Sequence, residues 1–272
     1  MNISFIGGGN MARAIICGLK NNGFDVTSIT VIEPDEQKRA SLFKELNVRV
    51  SDSYVENSNT GILDDVVVLA VKPQQLRDVC KQLAPTLQSQ LVISIAAGIR
   101  SADISRWLGN YQAIVRVMPN TPAQIQAGVS ALYAVTGVSQ QQRDQATTIL
   151  AAVGTTLWLD NEAKMDAVTA ISGSGPAYVF YLIEALQEAA IGLGLNADEA
   201  KILTLQTFAG ASLLAVQSAT DVKTLREQVT SKGGTTEQGL LVLETANIKN
   251  TIMLAATAAA AKSRTLGDDL AK

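Results

Sequence analysis

Two glycine-rich segments near opposite ends of the chain could each grip an anion through backbone N–H groups. The first is Gly7-Gly8-Gly9-Asn10-Met11-Ala12, which fits G-x-G-x-x-A and follows the apolar run Ile3-Ser4-Phe5-Ile6. In this pattern Gly7 makes a tight turn, Gly9 lets the backbone approach a pyrophosphate, and Ala12 lets the next helix pack closely on the strand. The free N–H groups and the helix dipole then attract phosphate, so Ile6, Gly7, Gly9, Asn10, Met11 and Ala12 are the expected dinucleotide contacts. The second segment is Ser231-Lys232-Gly233-Gly234-Thr235-Thr236-Glu237-Gln238. Gly233 and Gly234 precede a helix start, the hydroxyls of Ser231, Thr235 and Thr236 add donors, and Thr235 with Gln238 has capping-box spacing. Such a start suits a small carboxylate; a decorated helix cap is the alternative.

Between these segments lie loops at the carboxyl ends of expected strands, where ligands of doubly wound folds bind. Ala70-Val71-Lys72-Pro73 and Ile95-Ala96-Ala97-Gly98 are small enough for a ribose and a nicotinamide to lie against backbone. Lys72 reads equally as a solvated lysine or as a cation near cofactor or substrate. In Met118-Pro119-Asn120-Thr121-Pro122 the prolines fix the backbone around Asn120 and Thr121, which suits a rigid turn or a polar contact near the reacting carbon. Glu33, in Val31-Ile32-Glu33-Pro34, ends the second expected strand. An acid there bonds the adenosine ribose and repels a 2′-phosphate, which favours NADH and leaves NADPH open. Lys38 and Arg39 follow on a helix expected to face solvent. Ser172-Gly173-Ser174-Gly175-Pro176 precedes a long apolar run, with Pro176 suited to the first helical position and Ser174 or Gly175 to the cap.

Composition narrows the chemistry. The chain has 272 residues and no histidine, which rules out a Ser-His-Asp triad and argues against a zinc site, so no metal is expected. Its two cysteines, Cys17 and Cys80, lie in apolar segments without C-x-x-C spacing and read as buried thiols in a reducing cytoplasm. A net charge of −3 with no basic run argues against nucleic acid or an anionic membrane as partner. No basic stretch precedes an apolar core at the start, so no signal peptide is read there. Residues 202–220 carry no charge, but Thr204, Gln206, Ser212 and Gln217 favour a buried helix over a membrane span.

The elements that must position these groups change character along the chain. Short apolar runs at Ile3 to Ile6, Ser28 to Ile32, Asp65 to Val71, Leu91 to Ala96, Ala113 to Met118, Gly128 to Tyr133 and Thr155 to Trp158 read as strands. Helical spacing fills Asn10 to Lys20, Asp35 to Leu46, Pro73 to Leu87, Arg100 to Leu108 and Gln140 to Val153. That alternation predicts a parallel sheet covered by helices, a Rossmann-type domain over 1–160. Residues 161–272 show no convincing strand. Five Ala- and Leu-rich helices, at Pro176 to Leu193, Ala197 to Ala219, Asp221 to Val229, Thr235 to Glu244 and Ile248 to Thr265, predict an all-α bundle. Its apolar, small-residue faces, extreme in Ala255 to Ala261, suit an oligomer interface better than an ordinary intrachain core.

Taken together, FIGGGNMA, AVKP, SIAAG, RVMPNTP, SGSGPAYVF and VTSKGGTTEQGLLVLE resemble the pyrroline-5-carboxylate reductase family in content and order. The resemblance covers essentially the whole chain. It implies hydride transfer from NADH or NADPH to the C=N carbon of a cyclic imine, giving L-proline, the last step of proline biosynthesis. It implies that Ser231, Gly233, Gly234, Thr235 and Thr236 bind the substrate; the reading of the proline-flanked loop adds Asn120 as a candidate substrate contact. The loops Ala70, Val71, Lys72 and Pro73, and Ala96, Ala97 and Gly98, would line the cofactor. It also implies a homodimer through the C-terminal helices, in many members assembled into rings. Many members have a polar or basic pair where this chain has Glu33-Pro34, and a side-chain amide that Asn57 or Asn59 could supply. Proton donors open to the reaction are solvent, the Thr236 hydroxyl and Lys72. Two other readings remain: a β-hydroxyacid-dehydrogenase-like enzyme, which needs a catalytic lysine that neither Lys164 nor Lys201 offers in a motif, and a non-catalytic dinucleotide sensor.

Overall fold

Runs of fully buried β-branched and aromatic residues form the middle of one sheet. The computed structural model describes residues 1–53 and 64–271. In chain order the sheet region contains β1 (Ile3–Ile6), α1 (Asn10–Asn21), β2 (Ile29–Ile32), α2 (Glu36–Leu46), β3 (Arg49–Ser51), β4 (Val66–Leu69), α3 (Pro73–Leu83), β5 (Leu91–Ser94), α4 (Ser101–Trp107), β6 (Ile114–Met118), β7 (Gly128–Ala134), α5 (Gln140–Ala151) and β8 (Gly154–Trp158). Every residue of β1, β4 and β5 is buried. Only a strand with both faces covered, as in a parallel α/β sheet, takes such unbroken apolar runs. The spatial order is β3-β2-β1-β4-β5-β6-β7-β8. The chain runs outward from β1 to β3 and then crosses back to β4, so the order reverses between β1 and β4.

Alternate strand residues feed two cores. One packs Phe5, Val31, Val68 and Ile93 against Ile15 and Ile16 of α1, Leu42 of α2 and Ile149 of α5. The other packs Val67, Leu69 and Val92 against Leu76 and Cys80 of α3 and Ile104 and Trp107 of α4. Burying each large side chain stabilises the fold by about 1.5–3 kcal/mol. The fully parallel sheet expected from the sequence is corrected at β7, which runs antiparallel to β6 and parallel to β8. Residues 119–127 join β6 to β7 through a short 3-10 turn. A parallel return needs a crossover of a dozen residues or more, so this connection reverses the chain.

Beyond the sheet come α6 (Met165–Val168), α7 (Gly175–Gly192), α8 (Ala197–Gln217), α9 (Val222–Gln228), α10 (Thr235–Thr245) and α11 (Ile248–Leu270). Contacts divide the chain into Met1–Ser174 with Ala259–Lys272, and Gly175–Ala258, so the residues just past the boundary expected near residue 160 pack with the sheet. The reason is packing. Met165 and Ala170 are each 1% exposed, which holds α6 and the following turn in the first unit. The end of α11 returns to that unit too, where Ser263 Oγ donates to Asp166 at 2.7 Å.

In the second unit only Ala200 and Thr204 are buried among the described residues, and α7 and α10 contain no buried residue. The expected five-helix bundle therefore does not close on a core within one chain. Among the described residues, no helix is long and apolar enough to cross a membrane.

Candidate active site

The carboxyl ends of β1 and β4 open onto a cleft of about 570 Å³, lined by Gly7, Gly9, Glu33, Lys38, Val71 and Lys72 among others. It lies where the strand order reverses, the usual ligand position in open α/β sheets. Gly7 has φ +103°, and a Cβ on it would sit 2.9 Å from the Ala70 carbonyl oxygen. Its N–H donates to Ile32 at 2.8 Å, so the turn is fixed to β2 while it passes the end of β4. Nothing lies within 4 Å of a Cβ built on Gly9, so that backbone faces open space. Ile6 and Ala12 are buried beneath the turn at 3% and 1% exposure.

Helix α1, like α3, α4 and α10, starts without a side-chain cap. Asp35, Asn196 and Asp221 cap α2, α8 and α9 with side-chain oxygens. Gly9 caps α1 with no side chain, and the first turn, which begins at Asn10 and Met11, holds no acid. Uncapped N–H groups, a positive helix end and an open glycine fit the pyrophosphate of a dinucleotide. The residues present therefore suit a nicotinamide dinucleotide cofactor.

Glu33 has a more complex position than a simple ribose contact. It is 8% exposed, and its Oε2 accepts from Gly8 N at 3.0 Å while Oε1 accepts from Asp35 N at 3.2 Å. The carboxylate thus braces the glycine turn and still lines the cleft. Lys38 lines the cleft as well, and Arg39 folds back to donate to the Glu33 and Pro34 carbonyls at 2.8 and 2.7 Å. Lys38 is solvent-exposed at the cleft, as expected, whereas Arg39 is half-buried against the Glu33 and Pro34 backbone. Asp52, Ser53, Gln75 and Gln82 also line it. Sequence reasoning missed the first two because β3 was not recognised. Asn57 and Asn59 lie outside the described residues.

The other strand-end loops are held tightly. Ala70 N donates to Ile6 at 2.8 Å, and Lys72 is the exposed residue before Pro73 at the start of α3. Ala96 is 4% exposed, Ala97 is exposed, and Gly98 has φ +81°. Gly98 lines a separate cavity of about 330 Å³ together with Arg116, Glu162 and Gly267. Asn120 Oδ1 accepts from Val129 N at 2.9 Å, which ties the β6 exit to β7. Its first role is therefore structural.

The SGSGP segment does not begin a newly capped helix, as the sequence suggested. Thr169–Gly173 form one π-helical turn, and Ser174 N donates to Thr169 at 2.8 Å, leading directly into α7. Gly173 abuts the end of the Met118 side chain, so the SGSG turn meets the RVMPNTP loop. π-Turns inside helices recur at functional sites.

The GGTT turn lies in the other unit. Gly233 has φ +75°, and Gly234 is the N-cap of α10 with no side-chain cap bond. The expected capping box between Thr235 and Gln238 is not formed, because the helix starts one residue earlier in register, at Thr235 itself. Instead Glu237 Oε2 accepts from Gly233 N at 2.7 Å. A carboxylate of the chain's own thus occupies one donor of the turn. Ser231, Thr235 and Thr236 are exposed around it. Among the described residues no cluster of His, Cys, Asp and Glu could hold a metal ion.

Residues 162–266 match the family model described as pyrroline-5-carboxylate reductase dimerisation, and residues 2–98 match one described as NADP oxidoreductase, coenzyme F420-dependent. The pyrroline-5-carboxylate reductase of Pseudomonas aeruginosa is 44% identical over 98% of this chain and 97% of its own length. That of Haemophilus influenzae is 42% identical over 96% of each. Among solved structures, a pyrroline-5-carboxylate reductase from Coxiella burnetii superposes with a TM-score of 0.91 at 43% identity, covering 97% of this chain and 98% of that one. The Plasmodium falciparum enzyme with NADP bound gives 0.86 at 32% identity, covering 98% of both chains. With this identity along its full length, the chain belongs to the pyrroline-5-carboxylate reductase family.

Proposed function

We propose that this chain reduces the ring C=N bond of pyrroline-5-carboxylate to give L-proline, using a reduced nicotinamide dinucleotide. The observation that carries this reading is one chain holding both a glycine turn at an uncapped helix start and the GGTT turn at the start of α10, in a family of that activity. When bound, the cofactor supplies hydride to the imine carbon. The chain's own work is to bind and orient. Gly7, Gly9, Asn10 and Met11 offer backbone to the pyrophosphate, Ala70 to Pro73 and Ala96 to Gly98 lie along the ribose and nicotinamide, and Gly233 to Thr236 with Ser231 hold the substrate carboxylate.

Holding two rings in reacting geometry can remove roughly 7–11 kcal/mol of barrier. A protonated imine needs little further activation, which suits a chain without histidine. Thr236 and Lys72 are the side chains proposed to deliver a proton to the ring nitrogen, alongside solvent. Glu33 favours NADH over NADPH. The enzyme works in the cytoplasm as a homodimer through its C-terminal helices, with rings of dimers as the higher assembly.

The direct test follows absorbance of the reduced nicotinamide band on adding pyrroline-5-carboxylate, with each cofactor, and identifies proline as product. Binding of NADH without consumption would instead leave a dinucleotide sensor. At the site itself, Thr236→Ala is expected to raise the imine KM about tenfold, the loss of one hydrogen bond to a charged group, with NADH affinity unchanged. Equal loss of both would remove the carboxylate from this turn.

A further inference from the structure

The loop between β5 and α4 is held from two sides. On one side Glu162 accepts from Ser101 N at 2.7 Å and from Ser101 Oγ at 2.5 Å, and also pairs with Arg116 Nη1 at 2.9 Å. Arg116 is 5% exposed, so its charge is costly to bury without that partner. Glu162 thereby fixes the start of α4 to the sheet. On the other side the loop meets the last turns of α11. A Cβ built on Gly267 would lie 2.7 Å from the Gly98 carbonyl oxygen, closer than a carbon and an oxygen tolerate. Gly267 is buried there, and the neighbouring Asp268 pairs with Arg100 at 2.5 Å. Arg106 Nη2 donates to the Ala271 carbonyl at 2.9 Å.

A glycine inside a helix is destabilising relative to alanine. At position 267 that cost has a structural return, because only a residue without Cβ lets the Gly98 backbone seat on the helix. Gly98 in turn sits at φ +81°, a conformation that side chains rarely adopt. We infer that Gly267 is a positioning residue for the loop 95–99, setting how far that loop projects toward the nicotinamide half of the cofactor. The inference rests on the proposed placement of this loop against the cofactor. It assigns to the last helix a role in the reaction distinct from its part in association.

Two sets of variants separate the inference from the reading beneath it. Ala97→Asp places a carboxylate in the loop itself; a raised NADH Kd, read by fluorescence titration, puts the loop at the cofactor. Gly267→Val, with Gly267→Ala as the milder variant should the first fold poorly, moves the loop without altering its sequence. The expected result is a cofactor KM raised about tenfold with a lowered kcat in Gly267→Val and a smaller change in Gly267→Ala, since displacements near 1 Å carry penalties up to about a hundredfold. Imine KM should stay near that of the parent protein, while Tm falls with the added side chain. If Ala97→Asp weakens NADH but Gly267→Val lowers only Tm or yield, Gly267 is merely structural and the inference fails while the reading stands. If Ala97→Asp leaves NADH binding unchanged, the loop is not at the cofactor and both fall together.

Discussion

Glu33 braces the glycine turn, and in the proposed reading it also sets cofactor choice. Its two oxygens accept from Gly8 N and Asp35 N, so replacing it with a short residue would loosen the glycine turn as well as remove charge. Glu33→Gln removes the negative charge while keeping one of the two acceptors, so one of the two N–H groups loses its partner. It is expected to raise NADPH use relative to NADH about tenfold in the ratio of kcat/KM, a difference of about 1.4 kcal/mol. An unchanged ratio would take Glu33 out of the discrimination. Glu237 makes a similar point at the GGTT turn. Its carboxylate holds Gly233 N, one of the donors proposed for the substrate. Like charges at contact distance repel by about 1 kcal/mol in water, so Glu237→Gln is expected to lower the imine KM about three- to fivefold. A raised KM would mean that the carboxylate preorganises the turn rather than competing for it.

Strands and helices were legible where their pattern was long or chemically constrained. The glycine turn placed β1 and α1, because a strand before and a helix after are what that spacing requires. The buried runs of β4 and β5 were equally plain, since every position is apolar or small. Strand β3 was missed because Arg49–Ser51 is too short for any periodicity and none of its residues is buried. The direction of β7 was missed because strand composition carries no sign of direction; connection length does. The π-turn before α7 leaves no compositional mark beyond its glycines and serines. Of the candidate site, the glycine turns were readable, whereas the bonds of Glu33 to Gly8 and of Asn120 to Val129 were not, since each joins residues apart in sequence, and the local Glu237 to Gly233 bond was missed because a different cap was expected. Helix α3 offers a test of its own packing. Burial pushes the Cys80 thiol up to about 12, and the thiolate is the reactive form. Cys80 should therefore resist iodoacetamide in the native protein at pH 8 and react only after unfolding. Labelling of native protein at the rate of a free thiol would show that α3 does not lie on the sheet as described.

The molecule as a whole has one unit with its own core and one without. Residues 175–258 bury only Ala200 and Thr204 among those described, while Phe180, Val216, Val242, Met253 and Leu254 are between 61% and 82% exposed. A helical segment this apolar cannot persist in water alone. Ten large side chains of this kind would contribute roughly 15–30 kcal/mol if buried between copies, against an association cost of about 4–15 kcal/mol. The family model matched over 162–266 is one of dimerisation, and the balance of energies points the same way. Light scattering should therefore give twice the 28.7 kDa chain mass, or an even multiple if dimers form rings. Replacing Met253 and Leu254 together by glutamate should shift the mass toward one chain and lower Tm, because four added or exposed polar faces in a two-fold contact must be desolvated at once. NADH binding should survive better than imine turnover in that variant, since the glycine turn and Glu33 lie in the unit that keeps its core. A parent protein that stays monomeric and fully active at micromolar concentration would defeat this account of the helical half.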